Sequence, residues 1–558
     1  MRVDISVRLW KCSSQIFLIG LVLWLVLAGV YRACFVWLTP MREEVSLLHY
    51  IAWLIDQHNY VPYQDVFETA FPGSLFFHTL IGRLWDYGDT AFHVFDWLWL
   101  AGLLFITGRI LSLASARVAW VGVAALFAVY FAQSASMTLQ RDYVGILPVA
   151  LSLLFALQQN YALHWRSVTI GSLMAMAAWM KPHFLIALPV LAWVLLYPAG
   201  APKIFSWRNR MLAVCGVIAG AVLVSAWVCV WLYVTGGLLP FLHMVSNYLP
   251  VYMGDDGIRT AVWVFLRESF LAAWVDRNIP VDLGGQNSAV DGWVWQVANI
   301  AGHLLEQFFA WLLLVGAGVW RGFALTQPKT QQRQLVIALL LLCVLFWWYP
   351  VLANKYWNYH WMPYRYFALL CGSLLLLPAS NSKRWSRVVT VAAGAWFVWL
   401  MSGKLPPPNG ETVQQTLAIW REQGFQQQRY PEDDLAAYLV ARLQKGDRVQ
   451  IIDEGGPAPR AMLLAQALPA TPYLTYRQLL VNTSSPVVQK MRKDFIRRLQ
   501  STPPRFIVNT HTAPTETYAG ALYQFPEMDT LLIQQYHKVV DQCNATRCFL
   551  TVWEINKY

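Results

Sequence analysis

Long apolar stretches alternate with short polar ones through the first 403 residues of the chain. A helix that crosses the hydrocarbon core of a bilayer needs about 20 mostly apolar residues. The pattern predicts about eleven such spans, near residues 13–38, 90–110, 117–136, 143–162, 167–180, 184–200, 211–236, 296–320, 335–353, 364–380 and 387–403. The short fifth span is separated from the sixth by Lys181-Pro182-His183, where we expect a tight turn because helices usually end before proline.

The pattern changes after residue 403. Pro406-Pro407-Pro408-Asn409-Gly410 indicates a linker, and the rest alternates helical stretches (412–426, 434–444, 488–500) with strand-like ones (449–453, 505–509, 549–555). Of 29 tryptophans, 27 lie before residue 404, whereas 14 of the 31 acidic residues lie after it. The sequence therefore predicts a polytopic α-helical membrane domain over residues 1–403 and a small soluble α/β domain over residues 404–558.

Composition agrees with this division. Hydrophobic residues make up 57% of the chain and charged residues 13%, against about 25% charged residues in soluble domains. These values exclude an ordinary soluble enzyme, a disordered chain and a disulfide-rich secreted module. The basic segment 1–12 precedes an apolar run too long for a cleavable signal peptide, so we expect a membrane anchor there.

The basic residues predict the orientation. Fifteen of them occupy the N-terminus and alternate loops, on what the positive-inside rule makes the cytoplasmic side. They are Arg2, Arg8, Lys11, Arg109, Arg117, Arg166, Lys203, Arg208, Arg210, Arg321, Lys329, Arg333, Lys383, Arg384 and Arg387. They also account for the net charge of +11 without a nucleic-acid partner. An odd number of spans then places residues 404–558 on the outer side of the membrane.

The predicted outside loops carry charged groups against this trend. The first of them (39–89) contains Glu43, Glu44, Asp65 and Glu68, with two amphipathic stretches, about 43–57 and 74–85, that we expect to lie along the membrane interface. The longest (237–295) contains an amphipathic stretch at 258–275 and is either a lid or recognition element or a plain structural loop. Charged residues at a membrane edge are candidates for function, although helix-start preference and lipid-headgroup contact remain alternative explanations.

Several short motifs carry a family resemblance. The order of Glu43-Glu44, an amphipathic helix, Val61-Pro62-Tyr63-Gln64-Asp65-Val66-Phe67-Glu68 and Pro72-Gly73 resembles the first periplasmic loop of GT-C glycosyltransferases. Within them it resembles bacterial relatives of the protein O-mannosyltransferases and of the lipid A aminoarabinose transferase. Further likeness lies in Gln140-Arg141-Asp142, Lys181-Pro182-His183, Tyr359-His360-Trp361-Met362-Pro363, Gly446-Asp447-Arg448-Val449 and Pro503-Pro504-Arg505-Phe506-Ile507-Val508. The first acidic position, commonly Asp in these families, is Glu43 here.

The resemblance implies a polyprenyl-phosphate-linked sugar as donor and transfer to an envelope glycan, lipid or protein. Such transfer needs a general base for the acceptor hydroxyl and positive charge for the leaving phosphate. We expect Glu43 to be the base, with Glu44 and Asp65 as the next candidates, and inversion at the anomeric carbon. The candidate phosphate-binding residues are Arg141, Lys181, Lys355 and Arg365. The candidate substrate-binding residues are Asp142, His183, Tyr359 and His360.

Other chemistry has weaker signals. Metal-ligand spacings of His or Cys are absent from the sequence, so we expect no cofactor, although a divalent cation between Glu43, Glu44 and Asp65 stays open. A flippase of lipid-linked glycans and a non-catalytic envelope assembly protein are the alternative functions. Cys543 and Cys548 are close enough in sequence for a disulfide in an oxidising compartment, and whether they are bridged stays open.

Overall fold

The computed structural model describes residues 2–132, 137–199, 206–253, 310–353, 358–378, 430–453, 456–480, 482–510, 525–543 and 548–556. The described part before residue 379 is mostly helical, and the described part after residue 429 contains a small sheet. The predicted domain boundary between residues 403 and 404 stays a prediction.

Twelve helices are described before residue 254. They are α1 (Arg2–Leu38), α2 (Glu43–His58), α3 (Pro72–Leu84), α4 (Asp89–Ser112), α5 (Ala116–Ala132), α6 (Arg141–Val144), α7 (Ile146–Leu157), α8 (Leu163–Met180), α9 (Leu188–Leu196), α10 (Trp207–Val234), α11 (Leu238–His243) and α12 (Leu249–Met253). A 3₁₀ turn, Pro182–Ala187, joins α8 to α9, and a π-helical turn, Met244–Tyr248, joins α11 to α12. The tight turn predicted at Lys181-Pro182-His183 is thus present, because Pro182 cannot continue the hydrogen bonding of α8.

The helical domain continues with α13 (Ala310–Leu325), α14 (Gln331–Trp347), α15 (Tyr349–Ala353) and α16 (Met362–Ser373), with 3₁₀ turns at Asn358–Trp361 and Leu374–Leu376. Among the described residues, α4 and α1 pack on α5, α7 and α10 pack on α8, and α13 and α14 pack on α16. The contact of α8 with α10 is close because a Cβ on Gly171 would lie only 2.0 Å from the carbonyl oxygen of Val217.

Four helical segments of the described chain are long and apolar enough to cross a membrane, namely Ile19–Leu38, Asp89–Ser112, Trp207–Val234 and Gln331–Ala353. Shorter apolar segments are Ala116–Ala132, Pro182–Leu196 and Trp311–Leu325. Exposed leucines, valines and tryptophans on these helices, such as Leu223 and Trp227, are typical of surfaces that face lipid. The count of about eleven spans stays a prediction, and the predicted span 387–403 lies outside the described residues.

Helices α2 and α3 occupy the two amphipathic stretches predicted in the first loop, but α2 is not an exposed interfacial helix. Every residue from Val45 to Ile55 is buried. One reason is that α2 packs on α3 and also on a helix of the tail domain. The hydroxyl of Tyr50 donates to the carbonyl oxygen of Ala467 at 2.7 Å. Its polar positions are therefore used for contacts within the protein.

The tail domain contains five strands: β1 (Arg448–Ile451), β2 (Leu468–Pro469), β3 (Phe506–Asn509), β4 (Tyr536–Cys543) and β5 (Cys548–Ile555). They form one sheet in the order β2-β1-β3-β5-β4, with β1 parallel to β2 and β3, and β5 antiparallel to β3 and β4. The helices of this domain are α17 (Pro431–Arg442), α18 (Ala458–Leu464), α19 (Arg477–Leu480), α20 (Pro486–Ser501) and α21 (Pro526–Gln535). The predicted helix 412–426 lies outside the described residues.

The tail domain docks on the first loop. Arg460 of α18 is buried and binds the carboxylate of Asp89 at 2.7 and 3.0 Å, and Asp433 at 2.7 Å. The N–H of Phe67 donates to the carbonyl oxygen of Pro472 at 2.8 Å. The segment between α2 and α3 therefore lies against the tail domain.

The predicted long loop and the predicted cysteine pair are each described only in part. Only residues 237–253 of the long loop are described, so the amphipathic stretch 258–275 lies outside them. The backbone register of β4 and β5 places Cys543 opposite Cys548. Their side chains lie outside the described residues, and a disulfide between them stays a prediction.

Candidate active site

Glu44 and Arg141 form an ion pair at the edge of the helical domain. Glu44 lies in the first turn of α2, and Arg141 is the first residue of α6. The side chain of Glu44 is 24% exposed and that of Arg141 is 14% exposed. Within the described chain, Oε2 of Glu44 and Nε of Arg141 are buried without a hydrogen-bond partner. The pair therefore keeps one acceptor and one donor available for a bound molecule.

The next residue, Asp142, pairs with Lys181. The Nζ of Lys181 lies 2.8 Å from Oδ1 and 3.1 Å from Oδ2 of Asp142, and 5.2 Å from the centre of the Tyr349 ring. Both charged groups are buried. Lys181 directly follows α8, and Pro182 then turns the chain. The side chain of Lys181 thus lies beside α6.

Burial and charge compete at this second pair. Burial raises the pKa of Asp142, but the charge of Lys181 outweighs it and lowers the pKa to about 2. Burial also lowers the pKa of Lys181, while Asp142 opposes that change. The carboxylate of Asp142 is thus ionised at neutral pH and bound by Lys181.

Tyr359 and His360 approach the same region from the turn before α16. Their ring centres are 4.4 Å apart. Burial, followed by the charge of Glu44, raises the pKa of Tyr359, and burial lowers the pKa of His360 well below its usual value. Both side chains are therefore uncharged near neutral pH, and they lie within electrostatic range of the two ion pairs.

His183 lies beside this cluster. Its Nε2 is 2.9 Å from the carbonyl oxygen of Leu352, and its ring packs edge-on against Tyr349 at 5.8 Å. Since one ring nitrogen is used by the backbone, His183 fixes the position of α15 relative to the turn after α8. This contact is consistent with a supporting role for His183.

Glu68 also belongs to this region, although the sequence analysis names it only among the charged residues of the first loop and assigns it no catalytic or binding role. It is buried, and the charges of Glu44 and Arg141 both act on it. Burial, followed by the charge of Glu44, raises its pKa. The available signal was its place in the matched segment, three residues after Asp65.

The remaining candidates have other positions. Asp65 stabilises its own turn by accepting a hydrogen bond from the N–H of Val61 at 2.9 Å. Arg365 lies on α16, and its assignment to the donor phosphate stays a prediction. The side chain of Glu43 and all of Lys355 lie outside the described residues, so their roles stay predictions.

A histidine pair supports the first loop from inside. His49 of α2 and His78 of α3 approach each other with their Nδ1 atoms 3.2 Å apart, and both are buried. Burial lowers the pKa of His49 to about 4 and that of His78 well below its usual value. Both rings are therefore neutral, and one Nδ1 donates to the other.

Metal binding can be tested only on the described residues. Among them, no group of three His, Cys, Asp or Glu side chains could hold a metal ion. Asp65 accepts a hydrogen bond within its own turn, and a divalent cation between Glu43, Glu44 and Asp65 stays a prediction because the side chain of Glu43 lies outside the described residues. The described part of the site is therefore a cluster of acidic and basic side chains with buried aromatic groups, suited to binding an anion and moving a proton.

Comparisons with known proteins place the chain beside three solved structures. No protein-family model matches it, and neither does any curated protein sequence. It is similar to ArnT from Cupriavidus metallidurans in the apo state, at 14% identity and a TM-score of 0.40, with 95% of this chain and 97% of that chain covered. It is also similar to the arabinofuranosyltransferase AftD from Mycobacteria, at 12% identity and a TM-score of 0.47, with 96% and 42% covered.

The third structure is the oligosaccharyltransferase of Archaeoglobus fulgidus in complex with Zn and sulfate, at 9% identity and a TM-score of 0.41, with 95% and 72% covered. This chain spans less than half the length of AftD. The TM-scores of these three structures all lie below 0.5.

Proposed function

We propose that this protein is a membrane glycosyltransferase that moves a sugar from a polyprenyl-phosphate-linked donor to an envelope acceptor on the periplasmic face of the inner membrane. The observation that carries the proposal is the position of the Glu44–Arg141 pair beside the Asp142–Lys181 pair, between apolar helices and the tail domain. A lipid-linked donor needs such a boundary, because its tail requires hydrocarbon while its phosphate and sugar require polar partners.

Arg141 is the residue best suited to the donor phosphate. A guanidinium carries five N–H groups, and the Nε of Arg141 has no partner within the described chain. Charge-assisted hydrogen bonds from arginine to phosphate are short and strong, so they stabilise the negative charge that grows as the glycosidic bond breaks. The ammonium group of Lys181 lies within hydrogen-bonding distance of both carboxylate oxygens of Asp142. We therefore assign Lys181 the role of positioning that carboxylate.

Among the residues whose side chains are described, Glu44 is our candidate for the general base. Arg141 holds the carboxylate in place, and the other oxygen, Oε2, is available to accept a proton. In the proposed step the acceptor hydroxyl gives its proton to Glu44 as its oxygen bonds to the anomeric carbon. The bond from that carbon to the phosphate oxygen breaks, and both electrons leave with the polyprenyl phosphate. One displacement of this kind inverts the anomeric centre.

The Asp142–Lys181 pair supports this arrangement. Asp142 is adjacent to Arg141 in α6, and its carboxylate is tied to the chain segment that follows α8. Three elements, α2, α6 and the turn after α8, are therefore joined by two ion pairs. Such a link fixes the guanidinium of Arg141 before the donor arrives, which reduces the entropy lost on binding.

Transfer from a defined lipid-linked sugar tests the proposal. The purified protein is incubated with a set of polyprenyl-phosphate sugars and an envelope extract, and wild type is compared with Glu44→Gln, Glu43→Gln and Arg141→Ala. Loss of a general base typically lowers the rate by about 10²–10⁴-fold. We expect a loss of this size for Glu44→Gln and a raised KM for donor in Arg141→Ala.

A matched control comes from the same helix. Asp56 of α2 pairs with Arg83, whose side chain is 63% exposed, at the surface of the first loop. Asp56→Asn removes a carboxylate from α2 without touching the proposed site, and we expect normal transfer. Undiminished transfer by Glu44→Gln and Arg141→Ala overturns the proposed site, and a large loss only in Glu43→Gln moves the base to Glu43.

A further inference from the structure

One glutamine of the tail domain reaches the proposed site. Gln478 of α19 is buried, and its Nε2 lies 3.2 Å from Oε2 of Glu68. Its backbone is fixed because its N–H bonds to the carbonyl oxygen of Thr475 at 3.2 Å and its carbonyl oxygen accepts from the hydroxyl of Tyr248 at 3.0 Å. The opposite amide orientation would bring two oxygens together, so the contact with Glu68 fixes which way the amide points.

Glu68 is held from two sides. Its Oε1 accepts from the N–H of Thr69 at 2.6 Å, from the hydroxyl of Thr69 at 3.1 Å and from the N–H of Ala70 at 3.2 Å. The other oxygen, Oε2, accepts from Gln478. Its own loop therefore binds one carboxylate oxygen, and the tail domain binds the other.

The residue before Glu68, Phe67, also contacts the tail domain. The N–H of Phe67 donates to the carbonyl oxygen of Pro472. The Phe67 ring packs edge-on against Tyr248 at 5.0 Å and in a tilted arrangement against Tyr473 at 5.9 Å. A buried, doubly bound carboxylate next to such a contact has little freedom to move. The position of Glu68 thus depends on the tail domain as well as on the first loop.

Charged and titratable groups from several elements face Glu68. Glu44 comes from α2, Arg141 from α6, Tyr63 from the same loop, Tyr248 from the π-helical turn and Tyr252 from α12. Of these only Arg141 is cationic. Arg141 therefore has three carboxylates within electrostatic range, those of Glu44, Asp142 and Glu68. Glu44 forms the ion pair described above, and Asp142 is bound to Lys181.

We propose that Gln478 is a positioning residue supplied by the tail domain, which holds the Glu68 carboxylate where it keeps Arg141 in place for the donor phosphate. The inference rests on the proposed function. When Glu44 takes a proton from the acceptor it loses its charge, and Arg141 then needs a second counter-ion to stay aligned with the leaving phosphate. Glu68 supplies that charge without contacting the substrate.

The ionised form of Glu68 is the one this role requires. Burial and the charge of Glu44 raise its pKa, whereas Arg141 lowers it, and hydrogen bonds from Thr69 lower it as well. A hydrogen bond from Gln478 also favours the ionised form, since N–H groups bind a carboxylate better than a carboxylic acid. Removing that bond makes Glu68 harder to ionise.

The pH dependence of transfer separates positioning from simple structural support. In Gln478→Leu, the acid limb of kcat/KM is expected to move to higher pH by about one to two units, the equivalent of one hydrogen bond to a charged group. The rate should recover at higher pH. Gln478→Asn shortens the side chain by one methylene, and its acid limb is expected to shift in the same direction. It replaces Gln478→Leu in the experiment if the leucine variant does not fold.

Gln450 provides the matched control. It is a buried glutamine of the tail domain whose Nε2 donates to the carbonyl oxygen of Tyr473 at 2.8 Å and whose Oε1 accepts from the N–H of Thr471 at 3.1 Å. Gln450→Leu therefore removes a buried amide within the tail domain, and we expect lower stability with an unshifted acid limb. An equal shift in both variants, or none in Gln478→Leu, overturns the positioning role.

An exchange of the two side chains separates charge from hydrogen bonding. The double variant Glu68→Gln, Gln478→Glu retains one carboxylate and one amide, but the charge moves to the tail domain. We expect transfer to stay as low as in Glu68→Gln alone, because Arg141 needs the charge at position 68. Restoration of wild-type kcat and KM by the exchange contradicts this.

Hydrogen exchange tests the contact without any reaction. The amides of Thr69 and Ala70 bind Glu68, so in Gln478→Leu their exchange is expected to accelerate, whereas Gln450→Leu should leave it unchanged. If exchange in Gln478→Leu is unchanged while the wild type transfers sugar, the link between Gln478 and Glu68 is overturned and the proposed function is not. Absence of transfer by the wild type overturns the proposed function, and the positioning role with it.

Discussion

Lys181 places its ammonium group 2.8 Å from the nearer carboxylate oxygen of Asp142, with both side chains buried at the edge of the helical domain. The two residues are 39 positions apart; Asp142 lies in α6, and Lys181 directly follows α8. The sequence indicates Lys181 as a candidate for the donor phosphate and Asp142 as a candidate for substrate. Their mutual contact makes them a structural unit beside Arg141, and their binding roles stay predictions.

This pairing predicts a non-additive effect on stability. Lys181→Met leaves Asp142 buried without its partner, and breaking a buried pair by removing one member costs about 3–5 kcal/mol. Replacing both, with Lys181→Met and Asp142→Leu, removes the unpaired charge and is expected to cost less than the single change. Thermal unfolding in detergent measures both. A double variant as unstable as the sum of the two single ones contradicts the pairing.

The docking of the tail domain depends on Arg460. It binds Asp89 and Asp433 and is buried, so Arg460→Met leaves two carboxylates without their cation and is expected to cost about 3–5 kcal/mol. Faster hydrogen exchange in α2 should accompany the loss, because α2 packs on α18.

Arg505 is the matched control for this change. It binds Asp447 at 2.7 Å and Glu554 at 3.4 Å, entirely inside the tail domain. Arg505→Met is expected to leave exchange in α2 unchanged. Accelerated exchange in the Arg505 variant, or none in the Arg460 variant, shows that Arg460 is not what holds the tail domain on α2.

The histidine pair predicts acid sensitivity. Because burial lowers the pKa of His49 to about 4 from 6.5, the unfolded chain binds more protons than the folded one below pH 6.5. Stability is therefore complete above pH 6.5 and is lost as the pH falls towards 4, by about 1.4 kcal/mol per pH unit for each such histidine. His78 changes stability with pH in the same direction, since its pKa is lowered as well.

A double variant, His49→Phe with His78→Phe, tests this dependence. We expect its unfolding temperature to fall less between pH 7 and pH 5 than that of the wild type, because two of the groups that take up protons on unfolding are gone. An equal fall in both proteins assigns the acid sensitivity to other groups.

Close packing of α8 and α10 predicts a strong effect of a single methyl group. A Cβ on Gly171 would lie 2.0 Å from a backbone oxygen of α10, so Gly171→Ala forces the two helices apart and is expected to destabilise the protein by about 1–3 kcal/mol. Gly316 of α13 has open space around it, and Gly316→Ala should be neutral or stabilising. Equal unfolding temperatures for the two variants contradict the packing.

The coarse architecture followed from the sequence because it depends on local patterns. Apolar runs of bilayer length indicated the helical domain, and strand-like segments after the Pro-rich linker indicated the sheet that β1, β3 and β5 form. The turn at Pro182 was predictable for the same reason, since proline acts on its own neighbourhood.

Pairing within the site did not follow from the sequence, because it depends on contacts between distant segments. Glu44 and Arg141 are 97 residues apart, and nothing in their local sequence indicates an ion pair between them. Glu68 received no catalytic role because Asp65, three residues earlier, is as acidic and as close to the motif. Only burial against Gln478, 410 residues away, distinguishes the two carboxylates.

Asp89 joins two parts of the molecule through one carboxylate. Its Oδ1 accepts from the N–H of Met41 at 2.9 Å, and the same side chain binds Arg460 of the tail domain. Met41 lies two residues before α2 begins, so any force that lifts the tail domain pulls on the chain that leads directly to Glu43 and Glu44. Under the proposed function, an acceptor that displaces the tail domain therefore also displaces the loop that carries Glu43 and Glu44.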